Sequence, residues 1–394
     1  MNAVAPSAIR YHALEDLTAS QIAAIRAIPG HDAVDVVPIQ ATRPASMFLD
    51  EDFFQREQTH VFRRLPVAIT VSARLPEAGM VLPHDGYGLP LLVVRDREGK
   101  ARVFLNACMH KGAELVGGCE VRKSARLTCP YHAWTWKLDG TLAAVARSET
   151  FENLDKGTRN LVELPSREAG GLIWAILDRH AEPDFSHLNE EVIADLDALQ
   201  IGEQHLYGQK TFDVASNWKQ VVEPFLEGYH VQRLHAQSVG PLFADVPTVV
   251  TQMGDHIRQV SGKIEFAPGG LENEKNIHKT ITHAYLLFPN TVLVTSPYYM
   301  SLMIIIPTAV GKTRVDYHML TLNPADNPKS QALYQTSYET VLNVFGNEDF
   351  KAAEWCQKGL QSGALDAIGK VYSGLECAIP MQYATLDRYL GIPA

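Results

Sequence analysis

Cysteine is scarce in this sequence: five in 394 residues, an odd number. The chain does not open on a basic flank followed by an apolar run, so no secretory signal is expected. A disulfide framework is not expected either, and the predicted compartment is the reducing cytoplasm. No stretch of about 18 uninterrupted apolar residues occurs, so no transmembrane helix is expected. Positive charge is in deficit, with 35 Lys and Arg against 45 Asp and Glu and a formal net charge of -10. That balance argues against a nucleic-acid partner, whose nonspecific binding needs basic surface. Repeats and low-complexity tracts are missing too. What is present is ordinary for a globular protein, 46% hydrophobic and 20% charged residues. The length is too great for one small core and predicts two domains.

Near the start, Thr18 and Gln21 form a capping box before QIAAIRAI, and Pro29-Gly30 stops that helix. A second short helix is predicted near Asp50, in DEDFFQREQTHVF. From about Pro66 the texture changes to short β-branched runs: VAITVSA, LPLLVVRD and ARVFLNA. The last two flank Arg97-Glu-Gly-Lys100, a hairpin signal, and GLIWAILD closes the strand-rich region at Asp178. The predicted layout is a helical extension over 1–44 packing on the catalytic domain, a small all-β domain over 45–180, and a catalytic domain over 181–394. In the last, a helix-like segment over 217–235 precedes the strand-like runs HAYLLFP, NTVLVTS, YYMSLMIIIP and TRVDYHMLTL. Two helical stretches follow, one near 329–344 and one beginning after Asn347. Antiparallel strands followed by long helices predict an α+β fold, a helix packed on a curved sheet.

The few cysteines are not scattered. Cys108-Met-His110 and Cys129-Pro-Tyr-His132 each set a Cys beside a His, with eighteen residues between the loops. Structural zinc sites also mix these ligands, but usually pair two cysteines at close spacing. One Cys and one His from each loop, C-x-H then C-x2-H, matches a Rieske [2Fe–2S] centre, in which two cysteines hold one iron and two histidines the other. Neutral imidazoles in place of two thiolates make the cluster less negative and raise its potential. The outer imidazole nitrogens can stay exposed, giving electrons an exit. Cys119, Cys356 and Cys377 fall outside the pattern and are expected to be small packed residues. The run CMHKGAEL…CPYHAWTWKLDGTL resembles the Rieske domain of the oxygenase (alpha) component of Rieske non-haem iron oxygenases, the aromatic ring-hydroxylating dioxygenases and related monooxygenases. Lys111 stands where Arg is common in that family, and Ala133 where Gly is common.

A Rieske cluster passes electrons one at a time, so the rest of the chain should hold a centre that uses them. The segment SNWKQVVEPFLEGYHVQRLH supplies candidates. His230 and His235 are five apart, about 140° around a regular helix. They converge only if the helix ends or distorts between them. Glu227, three before His230, shares its face. Two histidines and one carboxylate make the facial triad of a non-haem Fe(II) oxygenase, with positions left for O2 and substrate. The carboxylate must come from a distant segment. Gly346-Asn-Glu-Asp349 carries two acids, and Asn347 is expected to cap a helix and put both in its first turn. The following run, FKAAEWCQKGLQSG, resembles the C-terminal helix of the same family, which implies Asp349 rather than Glu348 as the third ligand.

The resemblance covers roughly residues 48–391 and implies more. It gives Asn217, in Asn217-Trp218-Lys219, a place in the catalytic set. It makes Glu227, where many relatives have Asp, a bridge between an iron-ligand histidine and a Rieske histidine of a neighbouring subunit. It implies a helix-grip catalytic domain around a deep pocket and a head-to-tail homotrimer that closes as a ring. No GxGxxG fingerprint occurs in a strand–helix context, so NAD(P)H is expected to act through a separate reductase, with or without a ferredoxin. The expected reaction uses O2 and two electrons for cis-dihydroxylation or monohydroxylation, including demethylation. An aromatic substrate is the first expectation and a quaternary or methylated amine the alternative, since aromatic walls hold either. Phe225, Leu226, Tyr298, Tyr299 and Met303 are candidate walls. Two rivals predict different metal contents: a Rieske electron carrier or redox sensor with an inactive catalytic domain, and a zinc-stabilised binding protein.

Overall fold

The computed structural model describes residues 9–30 and 39–393. Two compact units divide the chain: Gln55–Asn189, and Met1–Phe54 together with Glu190–Ala394. Of the extension expected over 1–44, residues 1–8 and 31–38 lie outside the described residues. The β unit was expected to begin at 45, but residues 45–54 belong with the catalytic unit. The reason is local: Ala45–Phe48 is a buried turn, and the Phe48 carbonyl accepts a hydrogen bond from Asn217 Nδ2 at 3.3 Å.

The unit Gln55–Asn189 is built from three small antiparallel sheets. The largest orders its strands Glu163–Leu164, Ala101–Leu105, Leu91–Arg95, Met80–His84, Arg122–Lys123. The predicted hairpin joins Leu91–Arg95 to Ala101–Leu105. Asp96 shapes its turn by accepting from the Lys100 amide at 2.8 Å. A second hairpin pairs Leu127–Thr128 with Thr135–Trp136, so Cys129 and His132 sit in its connecting loop. Val81, Leu92, Phe104, Trp134 and Trp136 fill a core that also takes in Cys108 and Cys129.

The other unit carries a seven-stranded antiparallel sheet. Its order is His205–Val214, Lys312–Thr321, Met300–Ala309, Thr291–Thr295, Ile281–Leu287, His256–Gly262, Val249–Met253. Four of these are the predicted strand-like runs. Three were not predicted, among them the edge strand His205–Val214, whose polar, half-exposed sequence lacks an apolar run. The capping box at Thr18 forms as predicted, and the helix Ala19–Arg26 follows it. At the C-terminal end, Asn327 caps the helix Pro328–Val344, its side chain accepting from the Lys329 and Ser330 amides at 3.0 and 2.9 Å.

The predicted break at Asn347 does not occur. A π-helical turn, Phe345–Asp349, carries Pro328–Val344 on into the helix Phe350–Leu360. Asn347 is no cap: its side-chain amide donates to Asn343 Oδ1 one turn back, at 2.8 Å. This helical run packs on the sheet through Phe350 against Phe212, 5.2 Å between centroids, and Phe345 against Tyr317, 5.9 Å. Among the described residues no helix is long and apolar enough to cross a membrane.

Candidate functional site

The segment 217–235 is not one helix. Asn217 caps Trp218–Val222, a 3-10 turn Glu223–Leu226 with Pro224 inside follows, and the chain is extended at Glu227 (φ -156°, ψ 158°). A short helix, Val231–Leu234, restarts after His230. The interruption removes the 140° problem and lets His230 and His235 face each other, with ring centroids 5.1 Å apart. Asp349 closes the group from the π-helical turn. Its Oδ1 lies 3.4 Å from His230 Nε2 and 3.3 Å from His235 Nε2. Ligand atoms of all three residues fall within 4.8 Å of one another. Neighbouring ligands of one first-row metal ion stand roughly 3 Å apart, so the donor set fits a divalent metal.

Each imidazole is backed by a second carboxylate. His230 Nδ1 lies 2.6 Å from Glu227 Oε1, and the His230 amide donates to Glu227 Oε2 at 2.9 Å. His235 Nδ1 lies 2.5 Å from Glu348 Oε2, which also accepts from Ser238 Oγ at 2.8 Å. Sequence reasoning weighed Glu348 against Asp349 for one role; the structure sets them on opposite nitrogens of the His235 ring. A proton on each Nδ1 leaves both Nε2 lone pairs free toward Asp349. The electrostatics agree. Burial opposes a charge on His230, but hydrogen bonds to Asp349 and Glu227 push it up to about 10. For His235 burial is again outweighed, by Asp349 and Glu348, and its value is raised. Burial also opposes ionising Asp349, yet the two imidazoles hold its carboxyl below the usual range. A pocket that draws protons onto two imidazoles favours a cation in their place.

Asn217 lies apart from this group. It is fully buried, and its side chain caps Lys219 and donates to the Val310 carbonyl at 2.7 Å. Its role in this fold is to hold chain segments together.

Glu227, His230, His235 and Asp349 open onto a cavity of about 260 Å³. Phe225, Phe243, Tyr299 and Phe345 put rings on its wall. Gln259, Ser261 and Lys263 enter it from alternate positions along and just beyond one strand, as a period of two requires. Of the predicted walls, Phe225 and Tyr299 line this cavity, and Tyr298 lines a neighbouring one of about 440 Å³. Leu226 and Met303 line neither and are buried in the core. Sequence reasoning missed Gln259, Ser261 and Lys263, because HIRQVSGK carries polar residues on both strand faces and so shows no clean alternation.

In the β unit, the two Cys/His loops come together. Cys108 and Cys129 are buried and free of disulfides. His110 and His132 are half-exposed, with ring centroids 4.8 Å apart. Each loop is closed by its own backbone: Cys108 N donates to Ala113 O at 2.7 Å, and Cys129 N to Trp134 O at 2.8 Å. The His110 ring stacks on Trp134, 4.7 Å between centroids and 5° from parallel. Its Nδ1 is buried with no hydrogen-bond partner among the described residues, which suits a metal ligand. Two inward thiols and two outward imidazoles fit a [2Fe–2S] cluster bound asymmetrically. Ala133 takes a left-handed conformation, φ 56°, which explains why Gly is favoured there. Cys119 and Cys356, expected to be packed, are exposed instead; Cys356 falls on the outer side of its helix, next to the buried Gln357.

Residues 66–155 match the Rieske [2Fe-2S] domain, and residues 202–391 match the ring hydroxylating alpha subunit (catalytic domain). The chain is 27% identical over 342 residues to the carnitine monooxygenase oxygenase subunit of Escherichia coli strain K12, covering 84% of this chain and 87% of that protein. It is 31% identical over 195 residues to the anthranilate 1,2-dioxygenase large subunit of Acinetobacter baylyi, covering 48% of this chain and 41% of that one. The crystal structure of a quaternary ammonium Rieske monooxygenase in complex with an inhibitor shares the fold, with a TM-score of 0.77 at 22% identity, over 92% of this chain and 99% of the other. Such proteins carry a Rieske cluster and a mononuclear iron and receive electrons from a partner. The two domain matches lie in the family's order and together take up most of the sequence, and the chain belongs to the Rieske non-haem iron oxygenases, as an oxygenase (alpha) component.

Proposed function

We propose that His230, His235 and Asp349 hold the mononuclear Fe(II) and that Cys108, His110, Cys129 and His132 hold the cluster. The observation that carries this reading is the convergence of two Nε2 atoms and one carboxylate oxygen on the wall of a cavity. Iron bound there supplies O2 binding and activation beside the substrate, using electrons that arrive through the cluster. The chain's own residues do the positioning. Glu227 and Glu348 fix the tautomer of the two histidines. Phe225, Phe243, Tyr299 and Phe345 exclude water and hold the substrate. In a head-to-tail homotrimer, the free side of Glu227 would meet a Rieske histidine of the next subunit and couple the two centres. Electrons come from NAD(P)H by way of a reductase, with or without a ferredoxin. Five free cysteines fit a reducing cytoplasm.

The substrate is a small organic molecule, and an aromatic ring stacked among the four cavity rings is the first reading. The second is a quaternary or methylated amine held by cation–π attraction, supported by the long match to the carnitine monooxygenase subunit. Anthranilate and carnitine, named in the two relatives, differ in ring and amine character but share a carboxylate.

Iron counting tests the reading. The oxygenase should hold three irons per chain, an electron carrier two, a zinc-bound protein none. A His230→Ala variant is expected to keep the cluster's visible colour and lose product formation. Retained turnover would sink the iron-site assignment.

A further inference from the structure

The cavity wall contains a cation that neither metal site uses. Lys263 follows the strand His256–Gly262 and is only 9% exposed. Its Nζ donates to the His278 carbonyl at 2.6 Å and lies 5.9 Å from the centre of the Phe243 ring. Among the described residues it makes no ion pair. The acid that acts on it electrostatically is Glu265, which is exposed. One carbonyl satisfies one of three ammonium donors, so two remain. Burying an ammonium without a counter-ion is unfavourable; here burial pulls Lys263 down to about 8, with Glu265 working against it. The group therefore stays mostly charged at pH 7. Around it the wall is polar but neutral: Ser261 two residues back on the same strand face, and Thr282, the register partner of Ser261 on the next strand.

Such a cation repels a second one and draws an anion. We propose that Lys263 is the substrate's anion anchor, pairing with a carboxylate and selecting acids over neutral analogues. This inference rests on the oxygenase reading, because it takes the cavity beside His230, His235 and Asp349 as the substrate's. It makes one demand of either substrate reading, ring or amine: the molecule carries a carboxylate, and that end, not the ring or the amine, sits at Lys263.

The test is equilibrium binding to the holoenzyme, with cluster and iron content measured on the same samples. The probes are two pairs, benzoate against benzamide and glycine betaine against its amide. Wild-type protein is expected to bind the acid of at least one pair on the order of tenfold or more tighter than the amide. Lys263→Met should erase that preference, and Lys263→Arg should retain part of it. Should Lys263→Met lose its iron and cluster, Lys263→Gln carries the comparison, since its amide can still donate to the His278 carbonyl. Wild type without acid preference in either pair overturns the proposal, as does a preference that survives loss of the lysine charge. Failure of the oxygenase reading looks different: an acid preference in a protein that binds no mononuclear iron and takes up no O2.

Discussion

At the scale of single residues, the two histidines of the proposed iron site are defined by what stands behind them. A lone histidine on a helix is ambiguous, since either ring nitrogen can carry the proton. Glu227 and Glu348, at 2.6 and 2.5 Å from the two Nδ1 atoms, remove that ambiguity. Glu227 accepts twice from His230, at its amide and its ring, so its charge and both oxygens matter. Replacing it by Gln keeps one acceptor and turns the other into a donor facing an N–H. Glu227→Gln is therefore expected to keep both metal centres filled and to slow electron transfer between them on the order of ten- to hundredfold. Stopped-flow single-turnover measurement reads this directly; an unchanged rate would remove Glu227 from the route. None of the second partners was legible beforehand except Glu227, because a carboxylate's partner depends on a distance across 113 residues of chain for Glu348 and His235.

At the scale of elements, both halves of the proposed iron site come from helices that fail to be regular. Pro224 and the extended Glu227 interrupt the first, and a π-helical turn distorts the second. Single-turn π insertions often mark functional sites because they re-aim side chains without ending the helix. Here the turn presents consecutive acids to different ring nitrogens, Glu348 to Nδ1 of His235 and Asp349 to Nε2 of both histidines. Gly240 holds the first element in place. A Cβ there would meet the His235 carbonyl oxygen at 2.7 Å and the Val231 carbonyl oxygen at 3.0 Å, and backbone cannot swing aside. Gly240→Ala is expected to cost about 1–3 kcal/mol of stability and to weaken iron retention while sparing the cluster. Thermal unfolding with metal analysis checks it, and full iron occupancy at unchanged stability would show that the segment gives way freely.

At the scale of the whole molecule, the proposed trimer assigns cluster and iron of one electron path to different subunits. Chains carrying His132→Ala should keep the mononuclear iron, and chains carrying His230→Ala should keep the cluster. Each homogeneous variant should be inactive. Co-assembled one to one, they should regain roughly a quarter of wild-type turnover, the chance that a cluster-bearing chain adjoins an iron-bearing one in the right order. Oxygen uptake on the mixture measures this, and a mixture as dead as its components would confine the path within one chain. Sequence by itself determined the chemistry that rests on short spacings. The two Cys/His loops are complete within twenty-five residues, and the order of their ligands, one Cys and one His in each loop, points to a Rieske cluster rather than zinc. It also determined the strand runs with apolar alternation and the cap at Thr18, because those signals are local. Only the tertiary structure decided which acid meets which histidine, that Asn217 braces the fold, and that Lys263 faces a cavity. Those outcomes depend on how a helix breaks and on which face of a strand meets a void, and chain-local propensity encodes neither.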